Sequence, residues 1–184
     1  MMGAKAEGSL SGSTCNLMPP TEGMQLDEYT EISNDAAIVR VRKVRTGNGV
    51  RLEIHAPEKD RRVYLDPLNI ESLAWQTPQT FSDTLEDPPE TRNAKNTEGA
   101  EVEPDAEYTE FANEFAYTLV RKVRLSGGAR LEILAPKLGY KILLDPPLLE
   151  SLTWQTPDTL SKLIEEPYGP RGTHWWPWTG RSRW

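Results

Sequence analysis

The chain has 184 residues, of which 37% are hydrophobic, and a formal net charge of −7. This length allows one or two domains, and the low hydrophobic fraction implies that part of the chain lies outside any core. Residues 86–107 hold eight acidic and two basic residues, so the acidity belongs mainly to one segment and argues only weakly against nucleic-acid binding.

The first 28 residues are rich in Gly and Ser and hold the single cysteine, Cys15. One thiol cannot form an internal disulfide, so nothing indicates an oxidising compartment. The segment has no hydrophobic signal core, and no apolar run approaches the ~18 residues of a membrane span. We therefore expect residues 1–28 to be disordered and the protein to be cytoplasmic, without a membrane partner.

An internal repeat dominates the rest of the chain. Residues 29–88 align with residues 108–167 at a constant offset of 79, and 31 of the 60 positions are identical. This predicts two modules, joined by a disordered acidic linker at 89–107 and followed by a Trp/Arg-rich tail at 168–184. A module of 60 residues is marginally stable alone, so we expect the two to pack as a pseudo-two-fold symmetric dimer within one chain.

Each module begins with three predicted strands. Residues 37–46 are rich in β-branched side chains, and Gly47-Asn48-Gly49 is typical of a hairpin turn. Arg51–Ile54 alternates with period two, which places Leu52 and Ile54 inward. Residues 62–65 form the third strand and end at an Asp-Pro pair.

Two helical segments follow the strands. Residues 68–73 predict a short helical turn, and Thr77-Pro78 predicts a helix to about residue 86, with Thr as N-cap and Pro in the first turn. The predicted fold class is therefore α+β and β-rich, with a β-β-β-α module that occurs twice.

The sequence does not determine which face of the first strand points toward the core. Ile38, Arg40, Arg42 and Val44 share one parity, and the corresponding set in the second repeat is mostly apolar. Either the face that carries Arg42 and Arg121 is the inner one near its rim, or a bulge reverses the strand.

The sequence Trp-Gln-Thr-Pro follows the short helix in each repeat. One interpretation is a ligand platform formed by Trp75, Gln76, Trp154 and Gln155. The other is a core anchor followed by a helix cap, because burying one Trp removes about 200 Å² from water. A module this small needs such an anchor, which favours the second interpretation.

Basic residues recur along the first two strands of each repeat. They form either an anion-binding stripe or cross-strand ion pairs with Glu53 and Glu132. Aromatic residues of the RNA-binding kind are not interleaved with them, so we expect no nucleic-acid partner. The residues are Arg40, Arg42, Lys43, Arg45, Arg51, Arg121, Lys122, Arg124 and Arg130.

No catalytic, metal or cofactor constellation is recognisable. Asp66 and Asp145 precede Pro and are typical of turns, and no nearby His or Lys completes a catalytic pair. His55 corresponds to Leu134 and has no second metal ligand beside it. A Gly-rich phosphate loop is missing too, so we predict no catalytic residue, no metal and no cofactor.

The tail packs four of the six Trp residues into ten positions. It either covers a sheet face of the protein itself or docks on a partner, since Trp and Arg dominate binding hot spots. A membrane interface is a third reading, although three Arg residues attract a membrane weakly. The candidate partner-binding residues are Arg171, Trp175, Trp176, Trp178, Arg181, Arg183 and Trp184.

The run from Leu144 to Pro157, Leu-Asp-Pro-Pro-Leu-Leu-Glu-Ser-Leu-Thr-Trp-Gln-Thr-Pro, and the later Glu166–Pro170 carry a resemblance. Here the chain resembles small actinobacterial proteins that bear the name dihydrodiol dehydrogenase and accompany aromatic-compound oxygenation genes. The resemblance covers both repeats and implies no catalytic residue.

Dihydrodiol dehydrogenases use a nicotinamide cofactor on a Rossmann fold. The chain has no dinucleotide fingerprint, and its modules are too short for a doubly wound sheet. We therefore predict a non-catalytic accessory or adaptor protein whose partner is a protein, such as an oxygenase component. The alternatives are a protein that binds a small aromatic ligand, or an oxidoreductase of the named kind.

Overall fold

The computed structural model describes residues 24–89 and 103–165. These residues form an α+β structure with two antiparallel five-stranded sheets and four helices. The predicted disorder of residues 1–23 and of most of the linker lies outside the described residues, and so does the tail from residue 166 onward.

The first sheet is built around a long hairpin. β3 and β4 pair from Thr46 and Gly49 at the turn to Arg40 and His55, and Gly49 has a φ of 109°, which favours glycine. β5 pairs with the outer edge of β4, while β1 and β2 lie along the other edge of β3. The strands are β1 Gln25–Leu26, β2 Thr30–Ser33, β3 Ile38–Thr46, β4 Gly49–Ala56 and β5 Arg61–Leu65.

The second sheet has the same strand arrangement, with its own long hairpin at Leu125 and Gly128. Arg121 lies opposite Glu132, as Arg42 lies opposite Glu53 in the first sheet. The strands are β6 Glu103–Pro104, β7 Thr109–Ala112, β8 Tyr117–Leu125, β9 Gly128–Ala135 and β10 Tyr140–Leu144.

Two helices follow each set of strands, as the two predicted helical segments indicate, so the predicted β-β-β-α order has one helix too few. The side chain of Asp66 accepts a hydrogen bond from the Asn69 N–H, and Thr77 caps the next helix in the same way. The helix start predicted at Thr77-Pro78 is confirmed, whereas Asp66 and Asp145 are N-caps rather than turn residues. The helices are α1 Pro67–Ala74, α2 Pro78–Thr84, α3 Pro146–Leu152 and α4 Pro157–Glu165.

One hydrophobic cluster contains residues of both sheets and of all four helices. Ile54 and Ile133, at corresponding positions of β4 and β9, are fully buried in it. The helix α1 contacts β8 and β9 as well as its own sheet, and α3 contacts β3 and β4. Each sheet is therefore covered in part by a helix from the other repeat.

The structure corrects the expected orientation of the first strand. Arg42 lies opposite Glu53, so it lies on the face away from Leu52 and Ile54, and the β3–β4 ladder is continuous, without a bulge. Both expectations for Arg42 and Arg121 were wrong. Lys43, of the other parity, shares the face of the buried Leu52. Arg42 can lie on the face opposite Leu52 and Ile54, here called the second face, because Glu53 on the same face neutralises its charge.

The short strands β1 and β6 also differ from the expected boundaries. Leu26 pairs with Val44, and Pro104 pairs with Val123, so residues assigned to the N-terminus and to the linker belong to the sheets. They are two residues long, too short to show a periodic pattern. Among the described residues, no helix is long and apolar enough to cross a membrane.

Candidate functional site

The four residues of the predicted platform lie just beyond α1 and α3. Trp75 is 9% exposed, and Gln76 and Gln155 are each 6% exposed, while Trp154 is half-buried. Each Gln bonds to a backbone carbonyl of the other repeat, and Trp154 bonds to the same carbonyl as its neighbour Gln155. We call them the first Trp-Gln pair (Trp75, Gln76) and the second Trp-Gln pair (Trp154, Gln155).

The second Trp-Gln pair holds the complete peptide backbone of Glu86. The Glu86 N–H donates to Gln155 Oε1 over 2.9 Å, and the Glu86 carbonyl accepts from Gln155 Nε2 over 3.0 Å. The same carbonyl accepts from Trp154 Nε1 over 3.1 Å. Because Glu86 follows α2 in the other repeat, this contact joins the two repeats.

The first Trp-Gln pair makes a different contact. Gln76 Nε2 donates to the carbonyls of Ser72 over 3.0 Å and of Leu163 over 2.5 Å. Trp75 Nε1 and Gln76 Oε1 are buried and have no hydrogen-bond partner among the described residues. Identical sequences therefore lie in two chemically different environments.

Several aromatic side chains of the second repeat lie at or near the surface, and one of them, Tyr140, contacts the first Trp-Gln pair. Tyr140 is 44% exposed and meets Trp75 edge-on with 6.4 Å between ring centroids. Lys137 Nζ lies 5.4 Å from the Tyr117 ring centroid, and Phe115, two residues earlier, is 74% exposed. We call Trp75, Phe115, Tyr117 and Tyr140 the aromatic face.

Only one repeat carries the exposed members of the aromatic face. The corresponding residues of the first repeat are Ala36, Ile38 and Arg61. Large exposed aromatic residues are typical of binding surfaces. This surface was not predicted from the sequence, although Phe115 corresponds to Ala36, so the two repeats differ visibly at this position.

A buried carboxylate lies beside the aromatic face. Glu71 on α1 is 4% exposed, and its Oε1 accepts a hydrogen bond from the Tyr117 N–H over 3.3 Å. Burial raises the pKa of Glu71, against the opposing effects of that N–H and of Lys137. The carboxylate links α1 to the edge of the other repeat's sheet.

Replacing Glu71 with Gln is expected to raise the free energy of unfolding at pH 7, because the amide keeps an acceptor for Tyr117 and removes a buried charge. A raised carboxyl pKa means that the folded protein binds this proton more tightly than the unfolded chain. The bound proton stabilises the folded protein fully below the ordinary carboxyl pKa, and this stabilisation is lost as the pH rises through the raised pKa of Glu71 in the folded state. Urea unfolding should therefore show a gain at pH 7 that shrinks toward pH ~4.

The matched control is Glu114→Gln, which changes an exposed carboxylate near the same surface. A gain at pH 7 that is no larger than in this control, or one that does not change with pH, would contradict the prediction.

The second face of the first sheet carries a buried ion cluster. Glu53 is fully buried, and its Oε2 lies 2.6 Å from Arg42 Nε. Its Oε1 accepts a hydrogen bond from Tyr29 Oη over 2.9 Å and lies 3.6 Å from Arg62 Nη1. The Arg42 guanidinium lies 4.1 Å from the Tyr29 ring centroid. Every member is therefore engaged by another.

The second sheet repeats the core of this cluster. Arg121 Nη2 lies 3.0 Å from Glu132 Oε1, which also accepts a hydrogen bond from Tyr108 Oη. Burial, with the hydrogen bond to Glu132, raises the pKa of Tyr108 to about 12. The predicted cross-strand pairs of Arg42 and Arg121 are thus confirmed.

Most other strand cations are engaged as well. Arg40 pairs with Glu31 and Arg45 with Asp27, and Lys122 and Arg124 share Asp105. Lys43 Nζ donates to the Glu110 carbonyl and lies 5.3 Å from the Phe111 ring centroid. Burial lowers the pKa of Lys43, and Arg45 adds to the effect. These contacts favour the ion-pair interpretation over a free anion-binding stripe.

His55 lies at the margin of the first ion cluster, 6.0 Å from the Tyr29 ring centroid. Burial and then the nearby Arg62 lower its pKa, and its Nδ1 is buried without a hydrogen-bond partner in the part of the chain that the structure describes. Within residues 24–89 and 103–165, no group of three or more His, Cys, Asp or Glu side chains is placed to hold a metal ion.

A cavity of about 80 Å³ lies between the two sheets. Its lining includes Val41, Leu52 and their counterparts Val120 and Leu131, so corresponding residues of both repeats face it. Neither Trp-Gln pair lines this cavity. Two groupings of the predicted platform residues result. Trp75 and Gln76 lie beside Tyr140 of the aromatic face, whereas Trp154 and Gln155 lie against the backbone of Glu86.

Comparison with known proteins gives no assignment: no family model matches the chain, and no curated protein is significantly similar to it. The predicted partner-binding residues of the tail, from Arg171 to Trp184, lie outside the described residues. The candidate site therefore consists of the first Trp-Gln pair and the aromatic face.

Proposed function

We propose that this protein is a non-catalytic accessory protein that binds another protein through its paired modules and its Trp/Arg tail. The observation that carries the proposal is the aromatic face, which combines a 74% exposed Phe115 and a 44% exposed Tyr140. The resemblance at residues 144–157 favours a component of an aromatic-compound oxygenase as the partner.

We further propose that the two modules are related by a pseudo-two-fold axis, as a dimer fused into one chain. Three observations support this arrangement. Corresponding strands pair in corresponding registers, α1 and α3 each contact the sheet of the other repeat, and matching residues line the cavity between the sheets. A shared core also explains how modules of 60 residues remain stable.

Because exposed residues differ between the repeats, the proposed dimer carries its binding surface on the second repeat only. The ion clusters and the Trp-Gln-Thr-Pro sequences are kept in both repeats, whereas Phe115 and Tyr140 replace Ala36 and Arg61 in one repeat only. A partner that contributes an apolar surface with acidic side chains at its edge would complement these rings, Lys137 and the Arg residues of the tail.

Site-specific crosslinking tests the proposal. A photo-reactive Phe analogue placed at Phe115, in the full chain expressed in its native host, is expected to capture a protein partner. The same analogue at Ala36, the corresponding position of the other repeat, is the matched control. Phe115→Ala should then weaken the affinity of the purified partner by about tenfold or more if the ring is a hot spot.

The outcomes separate the alternatives. Capture at Phe115 but not at Ala36, with weaker binding by Phe115→Ala, supports the adaptor function. Equal capture at both positions, or unchanged affinity in Phe115→Ala, overturns it. Saturable quenching of Trp fluorescence by an aromatic diol, without capture at Phe115, would instead support the small-molecule binder.

A further inference from the structure

The second face of the second sheet, opposite the core residues Leu131 and Ile133, carries apolar side chains of its own. Leu119, Leu134 and Leu143 are half-buried on this face. They do not belong to the hydrophobic cluster that joins the two sheets and the four helices. Adjacent apolar side chains outside the core are typical of an interaction surface. The corresponding residues of the first repeat are Arg40, His55 and Tyr64.

Two of these leucines lie at the centre of a row that crosses four strands. Leu119 of β8 lies opposite Leu134 of β9. Glu110 of β7 pairs with Leu119 and forms one end of the row, and Lys141 of β10 pairs with Leu134 and forms the other end. From β7 to β10 the row therefore consists of an acid, two leucines and a base.

The charged ends of this row cannot reach each other within one chain. Neighbouring strands lie about 4.8 Å apart, so Glu110 and Lys141 are separated by roughly 14 Å across the sheet. Both side chains are exposed, and neither forms an ion pair within residues 24–89 and 103–165. Glu110 accepts only a long hydrogen bond, 3.4 Å, from Tyr117 Oη.

The row is complementary to itself. Consider a two-fold axis that runs along the strands and passes between β8 and β9, with a second sheet stacked face to face about 10 Å away. This axis places β10 of each copy over β7 of the other. Glu110 then faces Lys141 at both ends, and Leu119 faces Leu134 at the centre. Such reciprocal contacts are what a two-fold interface requires.

The adjacent row of the same face fits this arrangement. Arg121 and Glu132 lie opposite each other and form an ion pair within the chain. Leu143 follows on β10, opposite Glu132. The row therefore brings no uncompensated charge into the interface and adds one more leucine to it.

The first sheet does not offer a surface of this kind. The same axis would bury the Arg40 cation against His55 at the centre of the row, which is costly. Glu31, at the end of the row, already pairs with Arg40. The row consists of Glu31, Arg40, His55 and Arg62.

The Trp-rich tail is the other occupant that the chain itself could supply. Residues 168–184 contain three Arg and no acidic side chain, so the tail offers no carboxylate side chain to Lys141. A second copy supplies a carboxylate to Lys141, an amine to Glu110 and leucines to the centre. Charge complementarity therefore favours the second copy.

We infer that the second face of the second sheet binds a second copy of this chain in a two-fold dimer, with Glu110 of each copy paired to Lys141 of the other. The face is only about 20 Å wide, small for a stable interface, so the expected dimer is weak, with a Kd of about 100 µM. The inference does not rest on the proposed function.

Charge exchange on the full chain tests the dimer, with sedimentation velocity over a range of protein concentrations around this Kd. Glu110→Lys and Lys141→Glu each place like charges at both ends of the interface and should weaken association by about tenfold or more. An equimolar mixture of the two variants should restore the association, because each copy then meets opposite charges at both ends. Both substitutions change exposed side chains, so the fold should be kept.

The matched control is Glu31→Lys, the same change at the corresponding position of the first sheet, which should leave the association unchanged. Leu119→Arg introduces the residue that the first repeat carries as Arg40. Because it places a cation at the centre of the interface, this variant should be monomeric at every concentration.

Three results would overturn the inference. The first is an unmodified chain that stays monomeric at about ten times the expected Kd, whether the tail or another protein then covers the face. The second is a dimer that both charge substitutions leave intact. The third is a mixture of the two variants that associates no more strongly than either variant alone. All three concern the isolated protein and leave the proposed function untouched.

Discussion

Replacing Glu53 with Ala is expected to lower the free energy of unfolding by about 3 kcal/mol or more, the typical cost of breaking a buried ion pair from one side. Glu53 is fully buried, and the side chain of Arg42, its partner at 2.6 Å, is only 15% exposed. Without the carboxylate, Arg42 keeps a charge that is largely shielded from water. Tyr29 also loses the acceptor of its hydroxyl.

Two comparisons isolate the cause of this loss. Glu31→Ala removes an exposed carboxylate that pairs with Arg40 over 3.5 Å, and it should cost less than about 1 kcal/mol. The double substitution Arg42→Met with Glu53→Leu should recover much of the loss, because it leaves no buried charge unpaired. Urea unfolding measures all three variants. A cost for Glu53→Ala similar to that for Glu31→Ala would contradict the prediction.

This cluster also shows where sequence reasoning reached its limit. The third strand at residues 62–65, the β3–β4 hairpin and the helix start at Thr77 were predicted correctly because each depends on a local pattern. The orientation of Arg42 was predicted incorrectly because it depends on Glu53, 11 residues away on the neighbouring strand. A pattern of one strand cannot show which face a cross-strand ion pair will occupy.

The candidate site was predictable only in part. The sequence identified Trp75, Gln76, Trp154 and Gln155 because they recur in both repeats. It could not identify their partners, since Gln155 bonds to a residue 69 positions away and Gln76 to one 87 positions away. Contacts across such separations follow from how the repeats pack, and local propensity carries no information about that packing.

The divergence of the repeats carries functional information of another kind. Positions kept in both repeats, such as Glu53 and Glu132, stabilise the sheets from within. Positions that differ, such as Ala36 and Phe115, alter exposed surface. After a duplication, both copies can keep the contacts that stabilise the fold while one copy acquires a binding surface. This pattern is expected if both modules form the scaffold and only the second repeat carries the docking surface.

The contact between the two repeats gives the second large effect, at Gly128. Gly128→Ala is expected to cost about 3 kcal/mol, from an unfavourable backbone conformation together with overpacking. Gly128 has a φ of 106°, and an added Cβ would lie 2.9 Å from Asn34 Cβ and 3.1 Å from the Ser33 carbonyl oxygen. Asn34 belongs to the other repeat and is held by hydrogen bonds from the N–H groups of Ala36 and Ala37, so it cannot move aside easily.

Gly49 provides a control that differs in one respect only. It occupies the corresponding turn with a φ of 109°, but an added Cβ would meet nothing within 4 Å. Gly49→Ala therefore carries the backbone cost of about 1–2 kcal/mol without the contact. The difference between the two variants in urea unfolding measures the close approach of the repeats at Asn34. Equal losses would mean that this contact is not made in solution, which would remove one support for a single core shared by both modules.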